Sequence, residues 1–189
     1  MTHAAFGQIV LVGAGNMGGA MLAGWLKSGV PGASVTVLDP GPSDRMMAAI
    51  AEAGARHSVT PPEGLVADIL FLALKPQVMD AVLPGLKSLV GPETTVVSVA
   101  AGKTIASMEG HLGQAAMVRA MPNTPAMVGR GVTGAFANSA VSDSQREIVH
   151  RLLQVSGPVE WVASEADINA VTALSGSGPA YVFYLVECM

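Results

Sequence analysis

The sequence predicts an α/β fold in which helices cover both faces of a doubly wound, mostly parallel sheet. Three observations carry that expectation. Short apolar runs alternate with stretches of helical spacing from Gly7 to Ala120, the order that βαβ units require. The first apolar run ends in the turn Gly13-Ala14-Gly15-Asn16-Met17-Gly18 and leads straight into a helical stretch. Half of the 189 residues are hydrophobic and 13% are charged, so a sizeable core can form and long disordered tracts are excluded.

The elements follow in order. Gly7 to Val12 is an apolar run and the first strand. Asn16 to Ser28 spaces Met17, Met21, Leu22, Trp25 and Leu26 as one helical face, with Gly29 and Pro31 as stop signals. Ser34 to Leu38 is the second strand, and Ser43 to Ala53 a helix with Ser43 as N-cap and Gly54 past its end. Asp68 to Leu74 is a central strand, Pro76 to Val90 a helix with proline in its first turn, and Thr94 to Val99 a strand. Thr104 to Gly110 is a short helix and Ala115 to Ala120 a further strand. Val132 to Ala137 and Val159 to Val162 extend the sheet around a helix from Ser142 to Gln154. The last segment differs: Ser164 to Leu174 is helical, Ser175-Gly176-Ser177-Gly178-Pro179 interrupts it, and an apolar helix from Pro179 reaches Met189 without a stop signal. Such a helix is expected to continue in a longer protein.

Composition excludes several classes. Mean hydropathy is +0.47, yet no apolar run is long enough to span a bilayer. The most apolar stretch, Leu65 to Leu74, is broken by Asp68 and bounded by Glu63 and Lys75. A net charge of −4 argues against a surface that tracks nucleic acid. The single cysteine, Cys188, excludes an internal disulfide framework and reads as a small buried residue. Met1 leads into a strand within a few residues, with no secretory pattern, which fits a cytoplasmic protein. The histidines His3, His57, His111 and His150 are scattered, so no metal site is expected.

The turn Gly13–Gly18 has the spacing G-x-G-x-x-G, between a strand and a helix and ahead of a second strand. Gly13 allows the tight turn, Gly15 removes a side chain where backbone must approach a pyrophosphate, and Gly18 lets helix and strand pack closely. The free N–H groups of Asn16 and Met17 at the helix start then face the phosphates. An ordinary glycine-rich turn is the plainer alternative. Asp39 closes the second strand, where an acidic residue holds the adenosine ribose hydroxyls and disfavours a 2′-phosphate. Ser43 and Arg45 follow and could hold that phosphate instead, and a simple turn aspartate ahead of Pro40 fits equally well.

Three further segments carry more than fold-level information: Ala73-Leu74-Lys75-Pro76-Gln77, Val99-Ala100-Ala101-Gly102-Lys103-Thr104 and Arg119-Ala120-Met121-Pro122-Asn123-Thr124-Pro125. With Gly13–Gly18 and the later Leu174-Ser175-Gly176-Ser177-Gly178-Pro179-Ala180-Tyr181, their order and spacing resemble the pyrroline-5-carboxylate reductase family over nearly the whole chain. The resemblance implies a Rossmann-type domain, residues 1–162, followed by the start of an all-helical dimerisation domain, residues 163–189. It implies reduction of 1-pyrroline-5-carboxylate to L-proline with NADP(H) or NAD(H), and a homodimer or higher homo-oligomer in the full-length form. The family's later Ser-Ser-Pro-Gly-Gly-Thr-like loop, which helps to hold the substrate, is absent, as is most of the helical domain.

Each segment sits at the C-terminal end of an expected parallel strand, the edge where open α/β sheets bind ligands. Ala73, Leu74, Lys75 and Pro76 end one strand and open a helix; the small apolar residues would admit a nicotinamide ring. Lys75 would supply a cation near the cofactor or a substrate carboxylate, unless it is merely a solvated lysine. Ala100, Ala101 and Gly102 would line the nicotinamide side of the cleft, with tight packing as the alternative. Asn123, fixed between two prolines, can present its amide to a ligand. Ser177 lies in a turn whose N–H groups could anchor a carboxylate, or which only kinks two helices. Glu165 is placed near the substrate or its ring nitrogen. Hydride transfer to a cyclic imine needs alignment more than acid–base groups. A β-hydroxyacid dehydrogenase would need a catalytic lysine in its second domain, and no lysine follows Lys103. A nucleotide-binding module without turnover is the other alternative.

Overall fold

The structure, a computed structural model, describes residues 6–189; His3 and the chain start read above lie outside them. Strands β1 (Ile9–Val12), β2 (Val35–Leu38), β3 (Arg56–Ser58), β4 (Ala67–Leu72), β5 (Val90–Ser98), β6 (Ala116–Met121), β7 (Thr133–Ala137) and β8 (Val159–Trp161) form one sheet in the order β3-β2-β1-β4-β5-β6-β7-β8. The six strands from β3 to β6 in that order are parallel. β7 is antiparallel to β6 and β8 is parallel to β7. The order reverses at β1, whose neighbours are β2 and β4. A crevice for ligands opens at such a reversal.

The central strands are buried on both faces, which is why they read as unbroken apolar runs. On one face Ile9, Leu11, Phe71, Val97 and Val118 pack against helices α1 (Asn16–Lys27), α2 (Asp44–Glu52) and α5 (Asp143–Leu153). On the other, Val10, Val12, Leu70, Leu72 and Val96 pack against α3 (Pro76–Val82), the following 3-10 turns and α4 (Ile105–Leu112). Trp25 anchors the first face: it is fully buried, its ring meets Phe71 edge-on at 5.0 Å, and its Nε1–H donates to the Leu152 carbonyl at 2.8 Å. Ser43, Thr104 and Ser142 cap α2, α4 and α5 through their side-chain oxygens, each cap stabilising its helix by about 0.5–2 kcal/mol.

Several expectations are corrected. The helix expected from Pro76 to Val90 ends at Val82, because Pro84 and Gly85 disfavour α-helix, and residues Leu83–Leu89 continue as 3-10 turns. Strand β3 has no apolar signal in the sequence; its polar Arg56-His57-Ser58 lies at the sheet edge, where no alternation is needed. Residues 73–75 and 100–102 lie just past β4 and β5 rather than within them. The helix expected over Ser164–Leu174 is α only over α6 (Asp167–Val171). The break at Ser175–Pro179 is no loop: residues Thr172–Gly176 form a π-helical turn that runs into α7 (Gly178–Cys188). Cys188, expected to be buried, is exposed, as are its neighbours on α7. Among the described residues no helix is long and apolar enough to cross a membrane.

Candidate functional site

The glycine turn lies between β1 and α1, beside the loops that follow β2 and β4. Its three glycines have separate reasons. Gly13 has φ +90°, and a Cβ there would stand 2.7 Å from the Ala73 carbonyl. A Cβ at Gly18 would fall on the Gly13 carbonyl and 3.1 Å from the Ala73 Cβ. These two residues let α1 and the end of β4 approach the turn. Gly15, in contrast, has φ −68° and nothing within 4 Å of a notional Cβ. The fold makes no demand for glycine there. An empty approach to backbone at a helix N-terminus is what a bound pyrophosphate needs. Asn16 is exposed in the first turn, and Met17 is half-buried against the core.

Asp39 sits at the adjoining strand end. One carboxylate oxygen accepts from the Ala14 N–H at 2.7 Å and the other from the Gly41 N–H at 2.8 Å. It therefore ties β2 to the glycine turn and also makes the tight turn after Pro40. A carboxylate accepts about four hydrogen bonds, so two places are left for hydroxyl groups. Ser43 accepts from the Met46 N–H as N-cap, and Arg45 is exposed.

Along the same edge the Ala73 N–H donates to the Val12 carbonyl at 2.8 Å, which draws the loop after β4 against β1. Leu74 is half-buried; Lys75 is exposed and takes the N-cap position of α3, with Pro76 in the first turn. Beyond β5, Ala100 is buried, Ala101 half-buried, and Gly102 turns the chain with φ +73°. Lys103 then reaches Asp80 of α3 at 2.7 Å, and His111 lies 3.5 Å from the same carboxylate. The Lys103 ammonium, with His111 adding to it, holds the Asp80 carboxyl below the usual carboxylate range.

The remaining residues singled out in the sequence make protein contacts. The Asn123 amide accepts from the Val132 N–H at 3.0 Å and donates to the Ser175 hydroxyl at 3.1 Å, joining the loop after β6 to the π turn. Glu165 Oε1 accepts from the Ile105 N–H at 2.8 Å and from Arg119 at 3.2 Å. The Ser177 N–H is taken by the Thr172 carbonyl at 2.8 Å, because the π turn continues the helix instead of opening a new one. The structure thus gathers Gly13–Gly18, Asp39, residues 73–76 and residues 100–102 on one sheet edge, with Asn123 beyond β6. Sequence reasoning missed Arg119 as a partner of Glu165 and Asn169. Its signal was one guanidinium in the otherwise uncharged strand Ala116-Met117-Val118-Arg119-Ala120-Met121. A separate open cavity of about 560 Å³, with Glu93, Glu109 and Asn138 among its lining, lies where β5 and β6 begin and holds none of these residues.

Comparison with known proteins decides the kinship. Residues 165–189 match the family described as pyrroline-5-carboxylate reductase dimerisation, and residues 8–102 the one described as NADP oxidoreductase, coenzyme F420-dependent. The pyrroline-5-carboxylate reductase of Pseudomonas aeruginosa is 44% identical over 185 residues, 96% of this chain and 67% of that protein. The chain belongs to the pyrroline-5-carboxylate reductase family. The Escherichia coli K12 reductase is 38% identical over 186 residues, again 96% of this chain and 68% of that protein. The chain therefore spans about two thirds of the length of these relatives. The reductase structure from Coxiella burnetii superposes with a TM-score of 0.87 at 34% identity, covering 97% of this chain and 68% of that one. That from Plasmodium falciparum, solved with NADP bound, gives 0.81 at 25%, covering 96% and 66%. 3-Hydroxyisobutyrate dehydrogenases, at 19% identity, share the fold alone.

Proposed function

We propose that the chain binds NAD(P)H across the C-terminal edge of the sheet and serves the reduction of 1-pyrroline-5-carboxylate to L-proline. The observation that carries the reading is the empty approach to Gly15, a glycine that packing does not require, at the helix N-terminus beside the sheet's reversal point. In this reading residues 1–162 hold the cofactor and residues 163–189 begin the helical domain.

Each residue then has a task. The N–H groups of Gly15, Asn16 and Met17 receive the pyrophosphate, with the α1 dipole behind them. The Asp39 carboxylate, fixed by Ala14 and Gly41, offers its remaining lone pairs to the ribose hydroxyls. Ala73, Leu74, Ala100, Ala101 and Gly102 admit the flat ring and exclude water from one side of it. Pro76 starts α3 and so sets the direction of Lys75, which supplies a cation for a phosphate or for the substrate carboxylate. Ser177 and Asn123 bound the side on which the imine lies. Nicotinamide, when bound, supplies the hydride. The imine carbon accepts it, and the ring nitrogen, protonated beforehand, keeps its proton and becomes a secondary amine. Orientation of two carbons carries the rate.

The test pairs two measurements on the same chain: nicotinamide fluorescence on titration with NADPH and NADH, and proline-dependent reduction of the oxidised cofactor at high pH. Saturable binding with proline-dependent turnover is expected. Binding without any turnover would leave a nucleotide-binding module, and no binding would overturn the reading altogether.

A further inference from the structure

We infer that Arg119 is a positioning residue for this reaction: it holds Glu165 and Asn169, and with them the turn at Ser175–Ser177, against the loop that lines the ring. The inference rests on the function proposed above. Arg119 is 2% exposed, yet it lies in a strand whose other residues are uncharged. Its Nη1 donates to Glu165 Oε1 at 3.2 Å and its Nη2 to Asn169 Oδ1 at 3.1 Å, while Nε finds no partner among the described residues. Stability does not account for such a group, since a buried ion pair is often no better than an apolar replacement of similar volume. What the ion pair does fix is geometry.

Glu165 Oε1 also accepts the Ile105 N–H at 2.8 Å. That amide opens α4, directly after Thr104 and the Ala100–Gly102 loop. One carboxylate oxygen therefore joins β6, the start of α4 and the turn that leads into α6. Asn169, on α6, is held by the other arm of the guanidinium. Three residues on, α6 passes into the π turn, which Asn123 grips at Ser175 and whose Gly176 packs on Met121 at the end of β6. Arg119 thus sets the distance between the ring-side loop and the helical segment on the far side of the cleft. Without it, Glu165 loses its counter-charge and the segment is free to shift, and a displacement of about 1 Å can cost about 100-fold in rate.

The experiment uses Arg119→Met, which keeps length without charge, Arg119→Lys, which keeps charge without the two-armed grip, and Glu165→Gln. Hydrogen exchange is followed by peptide, with NADPH affinity and turnover measured beside it. Arg119→Met should raise exchange about tenfold or more in residues 164–177 and at the start of α4, leaving β1 and β4 unchanged. NADPH affinity should stay within about threefold while kcat falls about tenfold or more. Arg119→Lys should recover part of both. Glu165→Gln, altered from the more accessible partner, should repeat the pattern and serves if Arg119→Met does not fold. Exchange that rises equally in β1 and β4, or affinity that falls in step with turnover, would overturn the inference and leave Arg119 a packing residue. Absence of turnover in the unaltered chain would count against the proposed reaction, while the exchange and affinity measurements still decide the role of Arg119.

Discussion

Substitution of Gly15 by valine separates the cofactor reading from an ordinary tight turn. The backbone at Gly15 has φ −68°, open to any L-residue, and a Cβ there meets nothing within 4 Å. The cost to the fold is therefore that of a poorer N-cap residue, about 0.5–1 kcal/mol. The cost to binding is larger, because valine methyl groups would occupy the space in which a pyrophosphate approaches the Gly15, Asn16 and Met17 amides. Loss of two charge-assisted hydrogen bonds, at about 1.5–3 kcal/mol each, weakens binding by at least about 100-fold. Gly18→Ala is the opposite control. Its Cβ would fall on the Gly13 carbonyl, an overpacking worth about 1–3 kcal/mol, or roughly 2–12 °C in Tm for a chain of this size. Circular dichroism melting and fluorescence titration with NADPH read both effects. A folded Gly15→Val protein with undiminished affinity would refute the assignment of this turn to phosphate.

Three other outcomes are expected. Asp39→Ser should move the ratio of NADH to NADPH affinity towards NADPH by about tenfold or more, the worth of one hydrogen bond to a charged group; an unmoved ratio would make Asp39 only the tie between Ala14 and Gly41. Helix α7 exposes Tyr181, Val182, Phe183, Tyr184, Leu185 and Val186, each by more than half of its surface, so light scattering should find a dimer or larger species, and a clean monomer would refute the reading of α7 as an association surface. The depressed Asp80 carboxyl contributes stability that is present above the ordinary carboxylate pKa and lost as pH falls through its lowered folded value; the Tm gap between the native chain and Asp80→Asn should be small, as the pair is partly exposed, and should close in acid. A gap that persists unchanged into strong acid would exclude the Lys103–Asp80 pair as its source.

Legibility in the sequence followed the range of the interaction concerned. The sequence predicts helices α1, α2 and α5 to within a residue or two, because Ser43, Ser142, Gly29 and Gly54 act on their immediate neighbours. The apolar spacing at Leu83, Leu86 and Leu89 predicts a longer helix after Pro76 than forms, since that spacing persists through the 3-10 turns that Pro84 and Gly85 impose. The break expected at Ser175–Pro179 has a different reason: glycine and serine weaken a helix locally, and only packing of Gly176 on Met121 and the Asn123–Ser175 bond hold the chain helical there.

The sequence by itself determined the doubly wound α/β plan, the place of the glycine turn between strand and helix, and the membership of one strand-end loop after another in a single ligand-binding edge. Those follow from hydrophobic period and from residues whose conformational limits are their own, such as glycine at the positive φ of Gly13 and Gly102. Only the tertiary structure decided that Gly15 is free of packing while Gly13 and Gly18 are not, that Asp39 faces the glycine turn, and that Glu165 and Asn123 are engaged by protein. It alone paired Arg119 with a carboxylate and an amide 46 and 50 residues away. The physical reason is distance along the chain. A cap or a turn is settled by neighbours a few residues away, whereas the partner of a buried charge is whichever group the folded sheet brings beside it.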